Sequence, residues 1–211
     1  MKKFPRKNLT IIRSDNVSGD GIFDSKDCKD VYNIRNSQNC SYVWDSMFYS
    51  DSMDAYSGAR VELVYEATAT TDHSSNCHFC VRIYKGSRDC EYSWFLRNCS
   101  NCFGCISLQN KEYCIFNVQY SKEDYFTLLE QIKTQMKKDG EYGEFFPFYI
   151  SPFPYNDTVA HEYFPKNKEW AERVGMKWGD LADKNYTVTL THNDLPNNIK
   201  NSHLSSFEEP V

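Results

Sequence analysis

The feature that most constrains this chain is an internal repeat, in which cysteines and their neighbours recur about every 24–26 residues. Two columns of equivalent positions follow this repeat, half a repeat apart. The first column contains Cys28, Ser52, Cys77 and Cys102, and the second contains Cys40, Val64, Cys90 and Cys114. Self-similarity of this length is typical of proteins that stack one structural unit on the next.

Short apolar or aromatic segments, separated by Ser, Asn, Asp and Gly, occupy residues 22–118. Strands this short become stable when equivalent strands of successive coils stack as parallel sheets ~4.8 Å apart. The sequence therefore predicts a mainly β fold, a short parallel β-solenoid (β-helix) of about four coils over residues 1–120. Asn, Asp and Ser residues precede the core positions, where their tolerance of left-handed backbone geometry suits tight corners.

A different pattern follows the repeats and predicts an amphipathic helix. Ser121 and Asp124 form a capping box at its start, and Gly140 ends it. Its apolar face consists of Tyr125, Leu128, Leu129, Ile132 and Met136. We expect residues 121–180 to form a helical cap and an irregular aromatic and proline-rich flank, with a second short helix near 167–174. Residues 181–211 are predicted to hold a C-terminal strand, near 186–190, and a mobile tail.

Composition restricts the function classes and the compartment. A net charge of −5 argues against an electrostatic nucleic-acid partner. No apolar run approaches the ~18–20 residues of a membrane span. Without a recognisable signal peptide, the nine cysteines are expected to be reduced thiols in the cytoplasm. A virion-associated location is the alternative.

The cysteines allow two interpretations. Their Cys-x2-Cys pairs lie at zinc-ribbon spacing or in matching columns that we expect to belong to adjacent coils. The preferred zinc ligands are Cys77, Cys80, Cys102 and Cys105, with Cys99 as the alternative. Because an equivalent position accepts Val64, we favour cysteines that fill a narrow core with no bound cofactor, and zinc is the alternative.

No pattern of residues points to catalysis. His161 and Glu162 begin as a zinc-protease motif does, but Pro165 occupies the position of the second histidine. No spacing of Asp and Glu identifies the acid–base pair of a glycan-cleaving β-helix. Aromatic residues that alternate with Ser and Asn could form a contact face for carbohydrate or protein.

Specific resemblance begins with the segments NCFGCISL (101–108), NKEYCIFN (110–117) and YSKEDY (120–125), and continues through GEFFP (143–147) and YNDTVA (155–160). These segments resemble an uncharacterised family of cysteine-rich repeat proteins from small-genome uncultivated bacteria and phages. Some members are labelled type III CoA-transferases, but this chain is too short for that enzyme and has no supporting motif. The chain resembles the solenoid part of longer members without their flanking zinc ribbons, which lowers the zinc and nucleic-acid expectations.

These observations predict a non-enzymatic structural or protein-interaction module, with a protein partner or self-assembly. The resemblance alone suggests a larger phage-like or virion-like assembly as its setting. The alternatives are a zinc-binding module that uses the Cys-x2-Cys pairs and a β-helix enzyme that acts on glycans.

Overall fold

The computed structural model describes residues 9–180, which divide into two compact units. The first unit ends at Phe146 and the second begins at Pro147. The predicted helix after residue 121 therefore belongs to the same unit as the solenoid. The strand and tail predicted within residues 181–211 lie outside the described residues.

The strands of the first unit wind into a single sheet around a narrow core. They are β1 (Ile11–Ile12), β2 (Asp15–Phe23), β3 (Lys26–Arg35), β4 (Gln38–Thr71), β5 (Ser75–Tyr84), β6 (Arg88–Glu91), β7 (Trp94–Arg97), β8 (Ser100–Phe103), β9 (Glu112–Ile115) and β10 (Val118–Gln119). Paired strands are parallel, except that β10 pairs antiparallel with β9. The predicted parallel β-solenoid is confirmed.

Each coil is about half as long as the sequence repeat. Ile11 pairs with Ile22, and Ile22 pairs with Ile34, so each of these isoleucines begins a new turn of the solenoid. Further along the axis, Cys77 pairs with Cys90 rather than with its sequence-repeat equivalent, Cys102. One sequence repeat therefore contains two coils, and the solenoid has more coils than the four predicted.

The coil is built from three-residue units, each with one side chain directed into the core. Buried positions recur at Cys28, Val31 and Ile34, and the residues before the first two, Asp27 and Asp30, have φ angles of 54° and 52°. Asn and Asp adopt this left-handed geometry more readily than most residues, which fits their predicted place before core positions. Among the described non-glycine residues with positive φ, none is Val, Ile or Thr, whose branched Cβ would be strained there.

Helix α1 (Lys122–Asp139) follows the last coil and has the predicted ends. The Ser121 side chain accepts a hydrogen bond from the Asp124 N–H, and Gly140 adopts a φ of 76° at the C-terminus. The apolar face of α1 packs along the flank of the last coils, where the rings of Tyr125 and Tyr113 lie 5.7 Å apart. The last strand edge, that of β9, is paired by β10, so its backbone groups are not left open to another chain.

Polar contacts also attach the helix and the segment after it to the solenoid. Lys133 Nζ donates to Glu91 Oε1 at 2.5 Å, and the Tyr142 hydroxyl donates to Glu91 Oε2 at 3.2 Å. The Gly143 N–H donates to the Tyr92 hydroxyl at 2.9 Å. The predicted aromatic flank is therefore present as far as the end of the first unit.

The second unit consists of short helices. They are two 3-10 turns (Phe148–Ile150 and Tyr155–Asp157), α2 (Val159–Tyr163) and α3 (Lys168–Arg173). Helix α3 confirms the helix predicted near 167–174, with the Asn167 side chain at its N-terminus and Gly175 at positive φ after it. Helix α2 lies where irregular chain was predicted. None of the described helices is long and apolar enough to cross a membrane.

Candidate functional site

Two of the predicted metal ligands, Cys77 and Cys102, lie inside the solenoid in one stack of side chains. This stack, here called the cysteine column, contains Val17, Cys28, Cys40, Ser52, Val64, Cys77, Cys90, Cys102 and Cys114. The two columns recognised in the sequence are thus a single column, because half of the sequence repeat is one coil. Cys80 and Cys105 lie in the next inward column along the coil, and Cys99 lies in the preceding one.

Interior thiols make the same backbone contact as interior serines. Cys28 Sγ donates to the Lys26 carbonyl oxygen at 3.2 Å, and Ser25 Oγ donates to the Phe23 carbonyl oxygen at 2.8 Å. In both cases the acceptor lies two residues earlier, so cysteine and serine can replace one another within a column. All nine cysteines are buried free thiols. These contacts support the interpretation that the cysteines fill the core.

The register of the strands separates the preferred zinc ligands. Cys90 pairs with both Cys77 and Cys102, so these two residues are second neighbours, about 10 Å apart at the usual strand spacing. The prediction that Cys77/Cys80 and Cys102/Cys105 occupy adjacent coils is therefore wrong. Within residues 9–180, no three or more His, Cys, Asp and Glu side chains are grouped so that they could hold a metal ion. Zinc binding stays a prediction.

The alternative ligand, Cys99, belongs to a group of neighbouring thiols around Cys102. A hydrogen bond with the Cys102 thiol lowers the pKa of Cys99 to about 6. Cys102 also contacts the thiols of Cys105 and Cys90. At Cys80, burial raises the thiol pKa. These cysteines are at most 2% exposed, so a substrate does not reach their thiols in the folded chain.

A second candidate site is an outward column of the solenoid that we call the aromatic face. Its members, in order along the axis, are Tyr32, Trp44, Tyr56, Thr68, Val81, Trp94 and Ile106. Trp44 is 60% exposed, and Tyr32 and Tyr56 are each 50% exposed. The rings of Trp44 and Tyr56 meet edge to face with centroids 6.0 Å apart. The sequence predicts an aromatic contact surface but not these residues, because they align only when one coil is half of the sequence repeat.

The surroundings of the aromatic face are polar and include charged side chains such as Asp20 and Asp45. At its Tyr32 end, Asp20, Asn33 and Trp44 help to line a shallow depression of about 500 Å³. Asn33 Nδ2 donates to Asp45 Oδ1 at 2.6 Å. An exposed row of aromatic side chains with a polar border is the usual composition of a binding surface rather than of a catalytic cleft.

The carboxyl groups of the solenoid surface take part mainly in structural contacts. Arg13 forms two hydrogen bonds to Asp24, and these bonds hold the pKa of Asp24 below its usual value. A general acid needs a shift in the opposite direction.

No protein-family model matches the chain, and the comparison with curated proteins found no match either.

Proposed function

We propose that this chain is a non-enzymatic structural and protein-interaction module, in which the solenoid acts as a rigid support for the aromatic face. The observation that carries the proposal is the exposure of Tyr32, Trp44 and Tyr56 in successive coils. Large amphipathic rings lose little side-chain entropy on contact and are enriched in protein interfaces.

The fold itself does not require aromatic residues at these positions. Each lies on the outward side of a three-residue unit, and the buried position of the unit is filled by another residue, such as Val43 beside Trp44. A polar side chain would leave the core unchanged and avoid exposing apolar surface to water. Several such rings in one column therefore support a role in contact with another molecule.

A larger phage-like or virion-like assembly is our proposed setting, in keeping with the resemblance of the sequence. A stacked scaffold presents side chains at one fixed repeat distance, which suits ordered and repeated contacts. The zinc module and the glycan-acting enzyme are the competing functions, and metal analysis of the purified chain is the direct check of the first.

Cross-linking in a lysate of the producing cells, followed by mass spectrometry, tests the proposal. The full chain is compared with Trp44→Ala and with Leu63→Ala, a matched control that removes a 51% exposed apolar side chain on a different face. We expect cross-links to one defined set of proteins, close to the aromatic face, that Trp44→Ala loses and Leu63→Ala keeps. Equal cross-linking by all three chains would reject the aromatic face as the docking surface.

A further inference from the structure

The aromatic face is bulky over one stretch and small over the next. Tyr32, Trp44 and Tyr56 occupy three successive coils, and Thr68 and Val81 occupy the following two. The first three side chains are at least 50% exposed, whereas Thr68 and Val81 are only partly exposed. The column therefore has a ridge and a neighbouring low region.

The large and small side chains along the aromatic face follow an order that fits a second copy of the same face running in the opposite direction. Consider a two-fold axis through the face, between the coils of Tyr56 and Thr68. Tyr56 then lies at the level of Thr68 of a second copy, Trp44 at the level of Val81, and Tyr32 at the level of Trp94 of that copy. Trp44 and Tyr56 of each copy face the low region of the other, and Tyr32 meets the exposed ring of Trp94, an aromatic pair at each end of the contact. The same patch thus contacts itself, which is the relation that an isologous interface requires.

The spacing of the side chains favours a second solenoid as the occupant. Side chains along a column repeat at the strand spacing of ~4.8 Å. A second copy has the same repeat, so side chains of the two columns lie at matching levels at every coil of the contact. A partner without this repeat would match at one or two levels only.

Charges beside the column fit the same arrangement. Asp45 and Arg82 are exposed and follow Trp44 and Val81, respectively, in the chain. The two-fold axis therefore brings Asp45 to the level of Arg82 of the second copy. By symmetry, the dimer contains two such charge pairs. Opposite charges at matching levels favour this register over neighbouring ones.

The exposed rings supply a large part of the area that a stable contact buries. A buried aromatic side chain contributes ~150–250 Å², so the half-exposed Tyr32, Trp44, Tyr56 and Trp94, with Ile106, offer roughly 500 Å² per copy. A standard interface takes about 800 Å² from each partner. The column supplies more than half of this area, and the flanking side chains add to it.

We infer that this chain forms a symmetric antiparallel homodimer through the aromatic face, with Trp44 packed against Val81 and Asp45 paired with Arg82 of the second copy. This inference rests on the proposed function, because it names the partner of the same surface. It adds a defined register and stoichiometry, which self-assembly as a general expectation does not contain.

Sedimentation velocity of the purified full chain over a wide concentration range tests the inference. We expect a monomer–dimer equilibrium whose dissociation constant rises about tenfold or more in Arg82→Asp, because that change places like charges at the same level. Asp45→Arg should have the same effect, and the double variant should restore the dissociation constant to within about threefold of the original chain. Leu63→Ala should leave the dimer unchanged, and every variant should keep the β-rich circular dichroism spectrum of the original chain.

Two results would overturn the homodimer. One is a monomer at every concentration, and the other is a dimer that neither single charge reversal weakens. Cross-linking to other proteins through Trp44 by a monomeric chain would leave the proposed interaction function intact while rejecting self-association. A dimer that forms through another face, unaffected by Trp44→Ala, would reject the aromatic face in both roles.

Discussion

Gly58 lies where the narrow interior leaves no room for a side chain. Tyr49 is the largest of the fully buried side chains, 1% exposed, and burial raises the pKa of its hydroxyl to about 12. A Cβ on Gly58 would stand 2.3 Å from the Tyr49 hydroxyl oxygen and 2.1 Å from the Thr70 carbonyl oxygen. The missing side chain of Gly58 thus provides the room that lets an aromatic ring enter a core of small residues.

Substitution of Gly58 by Ala should destabilise the solenoid strongly. Ordinary contacts begin at 3.4 Å, far beyond the 2.1 Å available, so the Thr70 carbonyl would have to move against the hydrogen bonds between coils. Overpacking of a core costs about 1–3 kcal/mol, and a clash with backbone belongs at the upper end of that range. A loss of about 3 kcal/mol lowers the midpoint of thermal unfolding by roughly 6–12 °C in a chain of this size. Urea unfolding followed by circular dichroism measures the free energy directly.

Gly86→Ala is the matched control for this substitution. Gly86 has a φ of +70°, and a Cβ there would meet no atom closer than the Asp72 carbonyl oxygen at 4.0 Å. Its cost is therefore conformational only, about 1–2 kcal/mol. Adding Tyr49→Phe to Gly58→Ala should recover part of the loss, because the clash with Thr70 remains. If Gly58→Ala is no more harmful than Gly86→Ala, the steric reasoning is wrong.

Two further predictions concern charge and protonation. Lys133→Met should lower the free energy of unfolding by about 1–3 kcal/mol, because it leaves the Glu91 carboxylate, whose side chain is 18% exposed, without its cation. Adding Glu91→Gln should recover part of this loss in the same urea assay. Cys80→Ala should make the free energy of unfolding fall less steeply as the pH rises into the alkaline range. Below pH ~8.5 the Cys80 thiol is protonated in both the folded and the unfolded chain, but above this pH only the folded chain keeps the proton. Each further pH unit therefore lowers the free energy of unfolding by up to about 1.4 kcal/mol, until the raised pKa of the folded chain is reached. Equal slopes of stability for the two chains, measured over roughly pH 8.5–10, would contradict this account.

The sequence predicted the fold class and the first helix because both have strong local signals. Ser121 and Gly140 mark the two ends of α1, and their roles depend only on the neighbouring backbone. The solenoid class followed from self-similarity, which does not depend on knowing where each side chain points. Both predictions thus used information contained in short stretches of the chain or in their repetition.

The length of the coil was harder to recognise because the cysteine column is chemically mixed. Ser52 and Val64 interrupt the run between Cys40 and Cys77, so the resemblance between alternate coils is stronger than that between adjacent ones. Core serines such as Ser37 also resemble turn residues in a sequence, although here the hydroxyl accepts the Tyr49 N–H inside the core. The error in coil length in turn misplaced the predicted zinc ligands, because Cys77 and Cys102 are neighbours only in a coil twice as long.

The signal that defines the coil is a period of three rather than the usual alternation of strands. In ordinary sheets every second side chain faces the core, whereas here every third one does, because a left-handed residue in each unit turns the chain by about a quarter of a coil. A small or β-branched residue preceded by Asn or Asp, as in Asp27-Cys28 and Asn33-Ile34, is its sequence form. With this period known, the residues of the aromatic face could have been identified from their recurrence once per coil.

The same geometry explains why function should be sought on the faces of this solenoid. Each three-residue unit gives one side chain to the core and leaves two outside, so the core restricts a third of the positions and leaves the others open to variation. The interior admits few chemistries, since its thiols and hydroxyls already donate to backbone carbonyls such as those of Lys26 and Phe23. Outside, the fold accepts charged, amide and aromatic residues alike. Trp44 and Tyr56 expose apolar rings that core packing does not need, and contact with another surface is the physical reason that would keep them in one column.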